Sequence, residues 1–271
     1  MSDAQSPRTI AISNQKGGVG KTTTTINLAA ALARQGFSTL VVDIDPQGNA
    51  STGLGIDPEN RKLTTYDLIL EGAALSEVVV PTEFDGLLIA PATTDLSSAD
   101  IELVANERRS HLLRDALVGE TPKALGLDYI LIDCPPSLNL LTVNAMVAAD
   151  SILIPLQSEF FALEGLSQLM LTIREIRQNA NPALRIEGVL LTMHDQRNNL
   201  AQQVEKDARH TLGDLVFRTV VPRNVRVSEA PSYAVPVIDY DPSSKGSLAY
   251  QALAEELLAR YRQSSGITEE A

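Results

Sequence analysis

The chain has 271 residues, of which 44% are hydrophobic and 21% charged, as expected for a globular protein with a sizeable core. Its net charge of −12 argues against a generally basic protein that coats nucleic acid, but it does not exclude a local basic patch. No apolar run approaches the ~20 residues of a membrane-spanning helix, so we expect no membrane partner. The single cysteine, Cys134, cannot form an internal disulfide, which is consistent with a reducing cytoplasm.

Short apolar, β-branched runs predict strands along the whole chain. They are near-continuous rather than alternating, which is typical of strands buried on both faces of a parallel sheet. The predicted strands are Thr9–Ser13, Thr39–Asp43, Leu87–Pro91, Tyr129–Asp133, Ser151–Pro155, Ile186–Thr192 and Val216–Val221.

Helical patterns lie between these runs. The alternation predicts a doubly wound, mostly parallel α/β sheet flanked by helices. We see no dividing linker and expect a single domain over residues 1–271, with an ordered core at about 8–262 and short polar tails. The predicted helices are Lys21–Gln35 (ended by Gly36), Ile101–Val118 (Ile101, Val104, Leu112 and Leu117 on one face), Leu163–Asn179, Leu200–Leu212 and Ser247–Arg262.

The run QKGGVGKTTTT, Gln15–Thr25, follows the first predicted strand and opens the first predicted helix, as a phosphate loop does. Glycines let backbone N–H groups approach phosphate oxygens, and the helix N-terminus adds partial positive charge. This pattern predicts an ATPase that binds ATP and Mg²⁺. Lys21 should reach the β- and γ-phosphates, Thr22 should ligate Mg²⁺ and Thr23 should contact the α-phosphate. The expected nucleotide-binding set is Lys16, Gly17, Gly18, Val19, Gly20, Lys21, Thr22 and Thr23.

Aspartates stand at the ends of two apolar strands, in LVVDIDPQGN (Asp43, Asp45) and YILIDCPPS (Asp133). Carboxylates at the C-terminal edge of an open α/β sheet face its ligand crevice, and their oxygens suit Mg²⁺. We expect Asp133 to hold the metal directly or through water. A helix cap or a turn is the alternative for each aspartate, and it stays most open for Asp43.

The loop departs from the general phosphate-loop pattern, because Gln15 replaces a glycine and a second lysine, Lys16, follows. The resulting KGGVGKT resembles the deviant Walker A family of ATPases, which includes ParA/Soj, MinD and the nitrogenase iron protein. The resemblance implies that Lys16 crosses a dimer interface to the partner's ATP phosphates. It also implies that Asp45 orients the attacking water and Asp43 supports the magnesium shell. A solvated surface lysine is the alternative for Lys16.

Further segments resemble chromosomal ParA/Soj partition ATPases over about residues 8–262. They are DIDPQGNASTGLG, IDCPPSLNLLTVNAM, EFFALEGL and VVPRNVRVSEAPSYAVPVIDYDPSSKGSLAYQALAEEL. The resemblance implies an ATP-dependent homodimer that binds duplex DNA without sequence preference. It further implies that a ParB-type centromere-binding protein stimulates hydrolysis, so that chromosome or plasmid origins are segregated in the cytoplasm, on the nucleoid.

The sequence also bears on three other functions. A MinD-like division-site ATPase would end in a basic amphipathic membrane helix, whereas this chain ends in LLARYRQSSGITEEA. A protein that coats DNA and uses ATP without hydrolysing it stays open, although Asp45 favours hydrolysis. An iron–sulfur protein of the nitrogenase type needs two cluster cysteines per subunit, and the sequence has one.

An acidic protein that binds DNA must concentrate its cations on one surface. Three arginines follow predicted strands at the edge of the sheet that carries the phosphate loop. They are Arg197, and Arg223 and Arg226 within VPRNVRVSE. The resemblance favours Arg197 and Arg223, whereas pairing with a nearby acid such as Asp195 or Glu229 is the alternative. The family's adenine loop also corresponds to Pro222 and Asn224, so Arg223 could respond to nucleotide instead.

Overall fold

The structure is a computed structural model that describes residues 6–159 and 162–264. Its centre is one eight-stranded sheet, and the predicted strands are confirmed with small shifts at their ends. The strands are β1 Arg8–Ile12, β2 Thr39–Asp43, β3 Val80–Pro81, β4 Leu87–Ala90, β5 Tyr129–Asp133, β6 Ser151–Gln157, β7 Arg185–His194 and β8 Val216–Pro222.

The strand order is β3-β4-β2-β5-β1-β6-β7-β8, and only the short edge strand β3 is antiparallel. Strands β2 to β5 lie on one side of β1, and strands β6 to β8 lie on the other. The doubly wound, mostly parallel sheet is therefore confirmed. Strands β2 and β5 are buried along their whole length, as near-continuous apolar runs predict. The two residues of β3 are too few to give a sequence pattern.

Helices cover both faces of the sheet. The predicted helices beginning near 21, 163, 200 and 247 are confirmed as α1, α8, α9 and α12. The α-helices are α1 Lys21–Arg34, α2 Asn49–Gly53, α3 Leu75–Val78, α4 Ala99–Glu102, α5 Leu112–Leu117, α6 Glu120–Ala124, α7 Leu140–Ala148, α8 Ala162–Asn179, α9 Asn199–Leu212, α10 Val225–Glu229, α11 Val237–Tyr240 and α12 Lys245–Ser264.

The prediction of one helix over Ile101–Val118 is wrong. Only α4 and α5 are helical there, and the predicted apolar face does not form, because Ile101 is 79% and Val104 62% exposed. Polar side chains bond to the intervening backbone instead. The Asn106 carboxamide accepts from the N–H of Arg108, and the Arg109 guanidinium donates to the carbonyl of Val104. Such local bonds offer the backbone an alternative to the helical pattern.

Two apolar layers hold the fold together. Helices α5, α7, α8 and α9 contribute to the layer on one face of the sheet, whereas α1 and α12 contribute to the layer on the other. Strands therefore alternate their contacts, as when Ala11 joins the first layer and Ile10 and Ile12 the second. Within the described residues, no helix combines the length and the apolar character needed to cross a bilayer.

Candidate functional site: a nucleotide crevice at the C-terminal edge of the sheet

The loop between β1 and α1 is shaped by glycines. Gly18 and Gly20 adopt φ values of 74° and 87°, in the left-handed region where a side chain is disfavoured. Gly20 is also the N-cap of α1, and no side chain caps that end. Among the described residues, the N–H groups from Gly17 to Thr23 have no hydrogen-bond acceptor. A row of free N–H groups at a helix N-terminus fits an anion such as a phosphate chain.

Lys21 lies beneath this loop and is 7% exposed. Its Nζ donates to the carbonyl of Lys16 at 3.1 Å, which closes the loop from inside. Burial lowers the pKa of Lys21, and the nearby carboxyl groups of Asp133 and Asp45 oppose that effect. An ammonium that is buried and incompletely paired is well suited to a highly charged anionic ligand.

Asp133 is fully buried at the end of β5 and is bound by two hydroxyl groups of α1. Thr22 Oγ1 donates to its Oδ2 at 2.7 Å, and Thr25 Oγ1 donates to its Oδ1 at 3.0 Å. Burial and the neighbouring Asp43 raise the pKa of Asp133 to about 8, although both hydroxyl bonds act against the shift. This paired hydroxyl and carboxylate fit Mg²⁺, which favours oxygen ligands and few carboxylates together with phosphate oxygens.

Asp43 is the register partner of Asp133 on the adjacent strand, and it is also fully buried. Its Oδ2 accepts from both the N–H and the Oγ of Ser51, at 2.9 and 2.7 Å, and its Oδ1 accepts from the N–H of Asp45. Burial raises the pKa of Asp43 to about 6. The Ser51 bonds give Asp43 a clear structural task, which is to attach α2 to the end of β2.

Asp45 stands two residues beyond β2 and is 7% exposed. Its Oδ1 accepts from the N–H of Gln47 at 3.0 Å, and its backbone carbonyl accepts from the N–H of Gly48 at 2.9 Å. The aspartate therefore sits in a tight turn that leads directly into α2. It is close enough to Lys21 and Asp133 to influence the pKa of both, so the structure brings it into the same crevice.

Lys16, at the start of the loop, forms an ion pair with Glu159. The two side chains are 41% and 48% exposed, so this pair lies at the surface of the crevice. Glu159 follows β6 and is far from Lys16 in sequence. The sequence offered no signal for this contact.

A cavity of about 510 Å³ opens beside the phosphate loop, at the ends of β7 and β8. Gly20, Thr23, Pro222 and Asn224 line it, which brings the expected adenine loop next to the loop glycines. Thr192 Oγ1 donates to the carbonyl of Val19 at 2.8 Å and so fixes β7 against the phosphate loop. The Asn224 side chain caps α10 by accepting from the N–H of Arg226.

The three candidate DNA-binding arginines have different surroundings. Arg197 and Arg223 line one groove of about 800 Å³, and within the described part of the chain neither forms an ion pair with an acidic side chain. Arg226 instead pairs with Glu229 at 2.8 Å and with Asp241 at 3.3 Å. The pairing alternative therefore describes Arg226 and does not describe Arg197 or Arg223.

Several residues of the crevice carried no sequence signal. Lys245, at the start of α12, lines the same groove as Arg197 and Arg223 but lies distant from both along the chain. Ser51, Arg61 and Glu159 are bound to site elements by side-chain contacts that form only in the folded chain. Cys134 is fully buried, and burial raises the pKa of its thiol, which agrees with a packing role.

Comparison with known proteins adds independent information. A family model described as an AAA domain matches residues 7–186. The chromosome partitioning protein ParA of Caulobacter vibrioides is 57% identical over 256 residues, which cover 94% of this chain and 95% of that protein. The sporulation initiation inhibitor protein Soj of Bacillus subtilis is 51% identical over 250 residues, covering 92% and 98%.

Among solved structures, a similar one is cobyrinic acid a,c-diamide synthase from Mycobacterium smegmatis with bound ADP and magnesium. The two structures align with a TM-score of 0.81 at 34% identity, covering 95% of this chain and 96% of the other. The match therefore extends over nearly all of the fold.

Proposed function

Because the chain belongs to the ParA/Soj family of chromosome-partitioning ATPases, we propose that it is an ATP-dependent DNA-partitioning ATPase. In this proposal an ATP-bound dimer binds duplex DNA without sequence preference. A ParB-type centromere-binding partner stimulates hydrolysis, and the cycle segregates chromosome or plasmid origins in the cytoplasm, on the nucleoid. The observation that carries the proposal is the hydrogen bond from Thr22 to the buried Asp133, beside a glycine loop with free N–H groups.

ATP would bind with its phosphates along the N–H groups of Gly17 to Thr23 and with Lys21 Nζ at the β- and γ-phosphates. Thr22 and Asp133 would hold Mg²⁺, with Asp43 behind them. When bound, Mg²⁺ would supply positive charge that offsets the negative charge of the phosphates. Support comes from the diamide synthase of M. smegmatis, a structure solved with bound ADP and magnesium.

Hydrolysis needs a water in line with the γ-phosphorus, and Asp45 is our proposed group for orienting it. Water adds to phosphorus, the bond to the β-phosphate oxygen breaks, and ADP and phosphate are released. Lys21 would stabilise the charge on the transferred phosphoryl group. These roles separate ATP binding from ATP hydrolysis. Lys21 would contact the phosphates of bound ATP before the reaction, whereas Asp45 would contact only the attacking water.

Dimerisation would bring Lys16 of each subunit to the phosphates bound by the other. Two triphosphates that face each other need cations from across the interface, and Lys16, whose side chain is 41% exposed, would supply one per subunit. In the structure Lys16 is paired with Glu159, so this pair would have to break for Lys16 to reach the phosphates of the partner.

The groove lined by Arg197, Arg223 and Lys245 is our proposed DNA surface. It follows the ends of β7 and β8, at the same edge of the sheet as the nucleotide crevice. A dimer joined at that edge would therefore combine two such grooves, giving an acidic protein a local concentration of cations. Arg226 contributes less in this proposal because Glu229 and Asp241 already neutralise it.

The proposal is tested first by turnover. Asp45→Ala should bind ATP and dimerise like the parent but lose hydrolysis, measured as phosphate release with DNA and a ParB-type partner present. Asp85→Ala, which changes an exposed aspartate outside the site, is the matched control. Normal turnover by Asp45→Ala would contradict the role of Asp45. A parent that binds DNA with ATP yet never releases phosphate would support the non-hydrolytic alternative.

DNA binding is tested in the Asp45→Ala background, where the ATP-bound dimer should accumulate. Unrelated duplexes should bind equally well in the presence of ATP, and Arg197→Glu or Arg223→Glu should abolish binding without affecting dimerisation. Arg108→Glu serves as control because Arg108 is exposed and paired with Asp115. Unchanged affinity in both charge reversals would mean that DNA binds elsewhere. Binding to anionic vesicles instead of DNA would favour the MinD-like alternative.

A further inference from the structure

The guanidinium of Arg61 is the centre of a hydrogen-bond cluster beside the crevice. Its Nε and Nη2 both donate to the carbonyl of Ile56, at 3.0 and 2.8 Å. Its Nη2 also donates to Thr52 Oγ1 at 2.8 Å, and its Nη1 donates to the carbonyl of Ala92 at 2.9 Å. One side chain thus connects α2, the segment after α2 and the segment after β4.

These contacts lead directly to Asp45. Thr52 Oγ1, the acceptor for Arg61, itself donates to the carbonyl of Gly48 at 3.1 Å, and the N–H of Gly48 donates to the carbonyl of Asp45. Gly48 has φ of 60°, and a Cβ there would lie 2.3 Å from Arg61 Nη1. The guanidinium therefore packs against the bare backbone of the turn that Asp45 begins.

Ala92 connects the hydrogen-bond cluster of Arg61 to Asp43 through Ser51. Its carbonyl accepts from Arg61, and its N–H donates to Ser51 Oγ at 3.0 Å. Ser51 in turn donates to Asp43. The segment 45–53 is consequently held on one side by Asp43 and on the other by Arg61. No bond of Arg61 goes to a residue of the phosphate loop.

We infer that Arg61 is a positioning residue for ATP hydrolysis, which holds the 45–53 segment so that the Asp45 carboxylate keeps its direction towards the attacking water. The inference rests on the proposed hydrolytic role of Asp45. Three acceptors in different directions need the planar, forked guanidinium, so a lysine cannot replace it. Since the phosphate loop is not involved, Arg61 acts on turnover and leaves ATP binding unchanged.

The test is Arg61→Ala, with Arg108→Ala as the matched control. We expect kcat to fall by about 10- to 100-fold, the scale of a catalytic group displaced by about an ångström, while the Kd for ATP stays at the parent value. Adding guanidinium chloride at millimolar concentration, against sodium chloride at equal ionic strength, should restore part of kcat. It should not do so in Asp45→Ala. Arg61→Lys keeps the charge and the aliphatic stem, and it should show the same loss if Arg61→Ala does not fold.

Hydrogen exchange separates this inference from the proposed function. Amides of residues 47–53 should lose protection in the Arg61 variants and keep it in Arg108→Ala, whether or not the parent hydrolyses ATP. If the parent does not hydrolyse ATP, the proposed function is refuted. Hydrogen exchange would then test only whether the Arg61 contacts hold residues 47–53 in place. Parent-like kcat in Arg61→Ala, or equal losses of ATP affinity and kcat, would overturn the inference.

Discussion

At the scale of single residues, the two lysines of the phosphate loop lie in opposite environments. Lys21 is buried and bonded within its own loop, whereas Lys16 is exposed and paired with Glu159. In the proposed function these environments suit different purposes: Lys21 would hold the nucleotide of its own chain, and Lys16 would leave Glu159 and reach the nucleotide of the partner. Each purpose can be removed separately by substitution.

We expect Lys16→Ala to lose ATP-dependent dimerisation while retaining ATP binding, because only the cross-interface charge is removed. Lys21→Ala should lose ATP affinity itself. Light scattering with a non-hydrolysable ATP analogue measures the first effect, and titration with a fluorescent analogue measures the second. Lys206→Ala, which changes an exposed lysine on α9, is the control. Parent-like dimerisation by Lys16→Ala would show that Lys16 does not cross the interface.

The Lys16–Glu159 pair leads to a prediction of opposite sign. Glu159→Gln should shift dimerisation to lower concentrations of the ATP analogue, because Lys16 no longer has to leave an ionic partner. Exposed pairs contribute ~0.2–1 kcal/mol, so the shift should be at most about fivefold per subunit. Glu107→Gln, at an exposed position outside the site, should have no effect. A constant midpoint would contradict this prediction, and a higher midpoint would argue that Glu159 assists the dimer.

At the scale of helices and strands, α12 is joined to β8 by one carboxylate. Glu256 accepts from the N–H groups of Arg218 and Thr219, both at 2.8 Å, and from the Arg260 guanidinium. Burial alone would raise the pKa of Glu256, but these bonds outweigh it and hold the pKa below the ordinary 4.5. Because the pKa of Glu256 is lower in the folded state than in the unfolded state, the carboxylate stabilises the fold at pH values above the unfolded-state pKa. This stabilisation is lost as the pH falls through the folded-state pKa.

Glu256→Gln should therefore lower the free energy of unfolding at pH 7 by about 1.5–3 kcal/mol, the range for hydrogen bonds to a charged group. The difference from the parent should shrink as the pH falls below 4.5, where the parent carboxylate becomes protonated. Urea unfolding at both pH values measures this, with the exposed Glu255→Gln as control. A difference that does not depend on pH would mean that the charge of Glu256 is unimportant.

The elements that could be predicted from sequence are those with a repeating apolar pattern. Helix α7 was missed because LLTVNAMVA is apolar on all sides and buried, so it has no amphipathic period to detect. The prediction of a helix over Ile101–Val118 is wrong for the opposite reason, because apolar residues that are exposed in the structure have the spacing of a buried helical face. The phosphate loop is contiguous in sequence and could be predicted, whereas Ser51, Arg61, Glu159 and Lys245 join the site or its neighbouring groove only through contacts that form on folding.

For the whole molecule, the balance between an acidic chain and a basic groove predicts a strong salt dependence. Arg197, Arg223 and Lys245 would give a dimer two copies of each cation. The logarithm of DNA affinity falls by ~0.9 per log unit of salt for each phosphate contact, so Lys245→Ala should reduce the slope by about 1.8. Fluorescence anisotropy of a labelled duplex at several salt concentrations measures this. An unchanged slope would exclude Lys245 from the DNA surface.

Pro222 and Arg223 line both the cavity beside the phosphate loop and the basic groove, so these two spaces are separated only by a shared wall. If Pro222 and Arg223 move when a ligand fills one space, the shape of the other space changes as well. The resulting coupling free energy is the same for both ligands. If nucleotide tightens DNA binding by some factor, DNA must slow nucleotide loss or speed its uptake until nucleotide affinity has risen by the same factor. The DNA would then act on the protein as an effector as well as a track, retaining ATP on those molecules that are already bound to it.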